Sequence, residues 1–306
     1  MTADNNRIEV IYIAYRPDER LYESVKKIAG QAAAPDRIRV VLTVDDCPLD
    51  RSKEARAVAE KLAVTGADVK IETVRKSEFS HGGTRQKAVM SSDCAYVLLM
   101  TQDAVPVDDG LIGYLHEALS GTDAAVAYAR QVPYPDASRV ERMYRTFNYP
   151  GKSVSKSAAD IEKTGVKAFF CSDVCCMYKK AVFEKIGGFD AGVNFNEDSI
   201  YAFHALKAGY TVEYAAKARV FHSHNLSYKE MFERSRVLAI SQSEHKDIFE
   251  QVSSEHEGMR FLRLGTRVLL KKRDYLSLAE LFITCVVKYA GYFAGKHLSK
   301  ATNKCQ

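Results

Sequence analysis

Ile8-Glu-Val-Ile-Tyr-Ile-Ala-Tyr15, followed at once by Arg16-Pro17, is the stretch that decides how the chain is read. A run this continuously apolar belongs to a strand covered on both faces rather than to one with a solvated side. A helix is expected from Asp18 to about Gln31, and the alternation then repeats: strand Arg37 to Asp46, helix Arg51 to Val64, strand Val69 to Val74, helix Gly83 to Ser91, strand Tyr96 to Met100. Strands alternating with helices at this spacing predict an α/β fold with a mostly parallel sheet and helices on both faces. Ligands of such sheets bind beyond the carboxyl ends of the strands. The polar clusters of this half fall there: Tyr15-Arg16-Pro17, Asp45-Asp46, Ser80-His81-Gly82-Gly83 and Thr101-Gln102-Asp103.

The following stretch is more mixed. Ala124 to Val132, Val174 to Tyr178 and Thr211 to Phe221 read as strands, and Lys179 to Ile186 and Asp198 to Lys207 as helices. No Pro/Gly/Ser-rich linker separates the halves, so one domain is expected over residues 1–230, with a helical extension over 231–306. Leu276 to Gly295 is apolar apart from Glu280 and Lys288. Each of those charges would cost about 2.5–3.5 kcal/mol near a bilayer centre, which favours a helix lying on the membrane surface over one crossing it. A hairpin packed on the main domain with a solvated basic face is the alternative.

Composition narrows the function. The chain has 306 residues, 46% apolar and 27% charged, which excludes disordered and collagen-like classes. Its formal charge of +5 is unevenly spread, because ten basic and two acidic residues lie from Arg260 onward while the remainder is slightly acidic. Cations concentrated beside an apolar helix suit an anionic membrane face, whereas an acidic main domain without a recognised motif argues against nucleic acid. Seven cysteines without a C-x-x-C pair, behind a polar start, predict a reduced cytoplasmic protein.

Asp103 leaves the strand Tyr96 to Met100 at the sheet's carboxyl edge, where a carboxylate together with a diphosphate can retain Mg2+ or Mn2+. The same residue could simply cap the next helix. Phe221-His-Ser-His-Asn225 ends another strand, and a period of two puts His222 and His224 on one face, either of them a possible second ligand. In Asn196-Glu197-Asp198 the acids open a helix, as caps or as a general base that takes the proton of an attacking hydroxyl. His81-Gly-Gly-Thr-Arg-Gln-Lys87 matches neither a dinucleotide fingerprint nor a P-loop. It offers a helix N-terminus with Arg85 and Lys87, groups able to hold phosphate oxygens.

In order, Ala14-Tyr-Arg-Pro, Val44-Asp-Asp, His81-Gly-Gly-Thr-Arg-Gln, Thr101-Gln-Asp-Ala-Val-Pro, Gly187-Gly-Phe, Phe195-Asn-Glu-Asp and Phe221-His-Ser-His resemble the motif series of family 2 glycosyltransferases with a GT-A, Rossmann-like fold. Phe79-Ser-His-Gly-Gly-Thr-Arg, Thr146-Phe-Asn-Tyr-Pro and Phe169-Phe-Cys-Ser-Asp-Val-Cys make the chain most similar to bacterial rhamnosyltransferases of cell-surface polysaccharide synthesis, from about residue 8 to 250. The resemblance implies an inverting, metal-dependent hexosyltransferase, associated with the inner face of the cytoplasmic membrane. It would take dTDP-L-rhamnose as nucleotide-sugar donor and a lipid-linked or growing polysaccharide as acceptor. A UDP-hexose donor on the same fold is the nearest alternative.

Carried over residue by residue, the resemblance makes Asp103 the metal-binding acid, with Gln102 or Thr101 where the D-x-D motif has its earlier acid. Asp198 becomes the catalytic base, supported by Glu197, and His222 or His224 the metal-binding histidine. Asp46, or Asp45 one register away, would contact the pyrimidine, beside Tyr15. Arg85 would face the diphosphate, and Ser172-Asp173 and Gly187-Gly188 would lie in the sugar and acceptor pocket. A sugar-nucleotide pyrophosphorylase would need a glycine-rich signature after the first strand, where Ala14-Tyr-Arg-Pro17 stands instead. A non-catalytic binding protein is disfavoured because both key acids are present.

Overall fold

The computed structural model describes residues 6–250 and 255–302. The N-terminal elements are β1 (Ile8–Tyr15), α1 (Glu19–Ala29), β2 (Arg37–Val44), α2 (Pro48–Ala63), β3 (Val69–Arg75), α3 (His81–Met90), β4 (Tyr96–Thr101), β5 (Val105–Pro106), α4 (Leu111–Leu119) and β6 (Ala124–Val132). Next come α5 (Arg139–Asn148), β7 (Val154–Lys156), α6 (Ile161–Thr164), α7 (Val166–Phe169), β8 (Cys175–Lys179), α8 (Lys180–Ile186), α9 (Glu197–Lys207) and β9 (Thr211–Phe221). The chain ends in α10 (Tyr228–Glu244), α11 (Lys246–Phe249), α12 (Glu255–Lys271) and α13 (Tyr275–Thr302). Two compact units result. The first holds residues 1–132, 150–158 and 169–222, and the second 133–149, 159–168 and 223–306. Two stretches that precede β9 in the sequence, 133–149 and 159–168, belong to the second unit, an interleaving that a division along the sequence could not anticipate.

The first unit is built on one sheet of order β3-β2-β1-β4-β8-β6-β9-β5, with β7 paired to β9. Strands β3, β2, β1 and β4 are mutually parallel, as the alternation with helices predicts. Strand β8 runs antiparallel between β4 and β6, and β6 and β9 are parallel, so β6 and β9 share the direction of β4. Register then fixes what meets at the carboxyl edge. Tyr15 lies opposite Thr43, Ile13 opposite Thr101, and Val132 opposite Phe221, while β8 enters at this edge with Cys175 opposite Met100.

β1 is buried along nearly its whole length, as its apolar run requires. Its one acid, Glu9, is fully buried and paired with Arg39 Nε at 3.0 Å, so the charge is compensated inside the sheet. Tyr12, Val40, Leu42, Leu98 and Met100 form the core beside Leu21, Val25 and Ile28 of α1. Each such side chain contributes roughly 1.5–3 kcal/mol by leaving water.

In the second unit, Val140 of α5 packs with Phe261 and Leu269 of α12 and Leu281 of α13. Helix α10 begins with Ser227 and Glu230 capping one another's backbone N–H groups. It then packs along α13, where a Cβ on Gly291 would stand 2.3 Å from Phe232 O and one on Gly295 2.3 Å from Arg236 O. Only glycine permits that approach. The charges inside the apolar stretch turn towards α5: Glu280 accepts from Ser138 Oγ at 2.8 Å, and Lys288 Nζ lies 4.0 Å from the Tyr144 ring centroid. The opposite side of α13 carries Phe282, Ile283, Val286, Tyr289 and Phe293, all exposed.

Candidate functional site

The residues singled out from sequence in the first unit gather at the carboxyl edge of its sheet. Asp103 follows β4, and its Oδ2 stands 3.4 Å from Nε2 of His222, the residue after β9. His222 is 3% exposed, its N–H donates to Val132 O at 2.8 Å, and its Nδ1 lies 2.8 Å from Gln131 Oε1. Adjacent ligand atoms of an octahedral ion bound at ~2.0–2.1 Å are about 3 Å apart. The carboxylate–imidazole pair therefore fits a divalent cation that takes mixed oxygen and nitrogen donors. His224, half-buried, stands two residues on, in the last stretch of the second unit.

The acids opening α9 form a second centre. Asn196, at φ 67°, takes the left-handed conformation that asparagine tolerates better than most residues, and it turns the chain into the helix. Asp198 Oδ2 accepts from the backbone N–H of Asp173 at 3.1 Å and Oδ1 from that of Ser199 at 2.6 Å. Glu197 is buried, with its Oε1 3.1 Å from Arg85 Nη1. The Nε of the same guanidinium makes an ion pair with Asp173 Oδ2 at 3.1 Å, and Tyr178 donates its hydroxyl to Asp173 Oδ1 at 2.6 Å. Burial and the neighbouring Glu197 charge raise the Asp198 carboxyl to about 6, against the lowering effect of the two N–H donors and Arg85. A carboxylate poised there can accept a proton near neutral pH. Burial also raises Asp173 well above the ordinary carboxylate range.

The segment His81-Gly-Gly-Thr-Arg-Gln acts here as a platform for that helix start. Ser80 caps α3 by accepting from Gly83 N, and Gly82 N donates to Val193 O at 2.9 Å. A Cβ on Gly82 would lie 2.2 Å from Asp190 O, so this glycine lets α3 meet the 190–193 loop directly. Gln86 holds the same loop by accepting from Phe189 N at 2.7 Å. Arg85, expected to face phosphate, has its buried guanidinium flanked by Glu197 and Asp173. Asp173, expected in the sugar pocket, is itself 4% exposed and turned to Arg85 and Tyr178.

Gln102 is likewise engaged by backbone. Its Oε1 accepts from Tyr15 N at 2.7 Å and its Nε2 donates to Tyr15 O at 3.0 Å, tying the end of β1 to that of β4. Around it, Asp45 accepts from Arg16 Nη2 at 2.9 Å, and Asp46 accepts from Ser77 Oγ at 2.7 Å. These bonds hold both carboxyls below their usual range. Tyr15 reaches Asp45 with its hydroxyl at 3.4 Å. Gln131 and Tyr178 were not anticipated. The only trace of Gln131 in the sequence is a polar side chain late in an apolar strand, and Tyr178 reads as an ordinary core aromatic.

The Asp103–His222 pair and the Asp198 carboxylate thus lie along the carboxyl edge of one sheet, where open α/β sheets bind their ligands. Residues 6–237 match the family described as glycosyltransferase-like family 2, and the chain belongs to it. It is 34% identical over 293 residues, 95% of this chain and 90% of the other, to the O-antigen chain rhamnosyltransferase RfbN of Salmonella typhimurium. It is 32% identical over 226 residues, 73% of this chain and 71% of the other, to the O-antigen chain rhamnosyltransferase WbaN of Salmonella anatum. Among solved structures the fold is similar to that of the mannosyltransferase PcManGT from Pyrobaculum calidifontis, in complex with GDP-Man and Mn2+. There the TM-score is 0.61 at 13% identity, over 95% of this chain and 88% of that one. TarS 1–349 of S. aureus gives a TM-score of 0.52 at 13% identity, over 98% and 92%. The fold is GT-A-like, and the protein is a glycosyltransferase of the hexosyltransferase type.

Proposed function

We propose that the protein transfers L-rhamnose from dTDP-L-rhamnose, with inversion, to a hydroxyl of a lipid-linked or growing polysaccharide at the inner face of the cytoplasmic membrane. The observation that carries this reading is the carboxylate of Asp198, held by two backbone N–H groups beside buried Glu197 and raised to about 6, in a chain similar over nearly its whole length to a rhamnosyltransferase. Asp198 takes the acceptor hydroxyl's proton as that oxygen bonds to the anomeric carbon. The bond from that carbon to the diphosphate breaks, and its electron pair leaves with dTDP. Asp103 and His222, with His224 as the next candidate, would hold Mg2+ or Mn2+, which when bound neutralises charge gathering on the diphosphate. Tyr15 and Asp46 stand as the candidates for the nucleoside, with Asp45 the neighbouring possibility.

The membrane assignment rests on α13. Its length and composition suffice for a span, but one side is packed against α10, whose sequence is largely polar, and both of its interior charges face α5. A helix partnered on one side and apolar on the other lies in the plane of a membrane surface. Exposed Arg260, Arg263, Arg267, Lys271, Lys272 and Arg273 add attraction to anionic lipid, roughly 1 kcal/mol each near the surface. The test of the reaction is a donor screen by release of nucleoside diphosphate, with and without Mn2+ or Mg2+. Turnover restricted to dTDP-L-rhamnose and stimulated by the ion is expected, and turnover only with UDP-hexoses would overturn the donor assignment.

A further inference from the structure

Gln131 lies on β6, 2% exposed, two residues past the small and apolar side chains that fill the strand. Burying an amide is unfavourable unless its groups are paired, and both ends of this one are. Oε1 lies 2.8 Å from His222 Nδ1, and Nε2 donates to Ser172 Oγ at 2.9 Å. The register explains the meeting. Gln131 lies opposite Val220 on parallel β9, and His222, two residues beyond Val220, points to the same side.

We infer that Gln131 is a positioning residue for the cation site, setting the tautomer and ring orientation of His222 so that Nε2 is presented to Asp103. This rests on Asp103 and His222 being the cation-holding pair. An amide oxygen can only accept, so the imidazole nitrogen facing it carries the proton, and the other nitrogen offers its lone pair. That other nitrogen is the one 3.4 Å from Asp103 Oδ2. The amide's own orientation is set in turn by Ser172, which takes Nε2 and leaves Oε1 for the histidine. Groups that hold the far nitrogen of a metal-binding histidine commonly contribute 10–100-fold in metal affinity.

The experiment uses the purified full chain with Mn2+ as probe, read by the electron paramagnetic resonance of free Mn2+, and with 15N-histidine spectra of the metal-free protein. Gln131→Met fills similar space without an amide. It should bind Mn2+ 10–100-fold more weakly and turn the single Nδ1–H tautomer of His222 into a mixture. Ser172→Ala, which frees the amide to rotate, should fall in between. Gln131→Glu keeps an acceptor at Nδ1 and should retain the wild-type affinity, an outcome that a space-filling role would not give. Wild-type tautomer and affinity in both Gln131→Met and Ser172→Ala overturn the proposal. The underlying reading has its own control: undiminished Mn2+ binding by Asp103→Asn removes the cation site, while the 15N spectra still decide whether Gln131 sets the ring.

Discussion

The guanidinium of Arg85 lies 3.1 Å from Glu197 Oε1, so a cation that the sequence offers to phosphate is the buried counter-ion of the helix start carrying Asp198. Two neighbouring acids thereby acquire different work. Glu197 anchors α9 through Arg85, and Asp198 is left to backbone donors that hold its carboxylate without neutralising it.

That division predicts opposite outcomes for paired substitutions. Glu197→Gln leaves Arg85 short of a buried partner and should lower stability by about 3–5 kcal/mol, seen as a fall in the denaturation midpoint. Asp198→Asn should melt near the wild type while its turnover number drops by roughly 10²–10⁴. If the two variants lose stability equally, the assignment of roles is wrong.

The raised Asp198 carboxyl also sets a pH dependence. A base must be deprotonated, so kcat/KM should rise with pH through about 6 and level off above it. Glu197→Gln removes the neighbouring negative charge that raises Asp198, so the acidic limb should move to lower pH. For stability the sign is reversed. A carboxyl raised from 3.8 to about 6 by folding favours the native state below the lower value, and that contribution is lost as pH rises through about 6. A pH–rate profile of the two proteins with the same donor checks the shift.

Gly82→Ala tests the platform under α9. The added methyl would meet Asp190 O at 2.2 Å, and backbone on both sides leaves no flexible atom to yield. A loss of about 1–3 kcal/mol in denaturant unfolding is expected, together with reduced turnover, because the 190–193 loop leads into Asn196. A substitution silent in both measurements would show that the loop accommodates the methyl without moving α9.

On α13, replacing Phe282, Val286, Tyr289 and Phe293 together by Gln changes only exposed positions. The unfolding midpoint should stay close to that of the wild type, and sedimentation with anionic vesicles should fall sharply. Removing the chain from Arg260 onward is a poorer test, since Phe261, Leu269 and Leu281 belong to the second unit's core. Vesicle binding that survives the four substitutions would place the contact elsewhere.

The sequence by itself determined the elements whose side-chain pattern repeats with the backbone. β1, β6 and β9 match the expected runs end to end, and α1, α8 and α9 lie within a residue or two of the reading, since covered strands and capped helices leave local signals. It also marked Asp103, His222, Glu197 and Asp198, because chemistry needs those residue types at strand and helix ends. Only the tertiary structure decided who faces whom. Arg85 and Asp173 are 88 residues apart, Gln131 and His222 are separated by 91, and nothing local records that the segment entering antiparallel β8 brings Ser172 to Gln131 and Asp173 to Asp198. The same is true of α13. Its apolar length was plain in the sequence, but which flank is buried depended on Gly291 and Gly295 meeting α10 and on α5, a helix the linear pattern did not reveal. Periodicity reports burial along one segment, whereas partner choice is fixed by sheet order and register, which are properties of the whole chain.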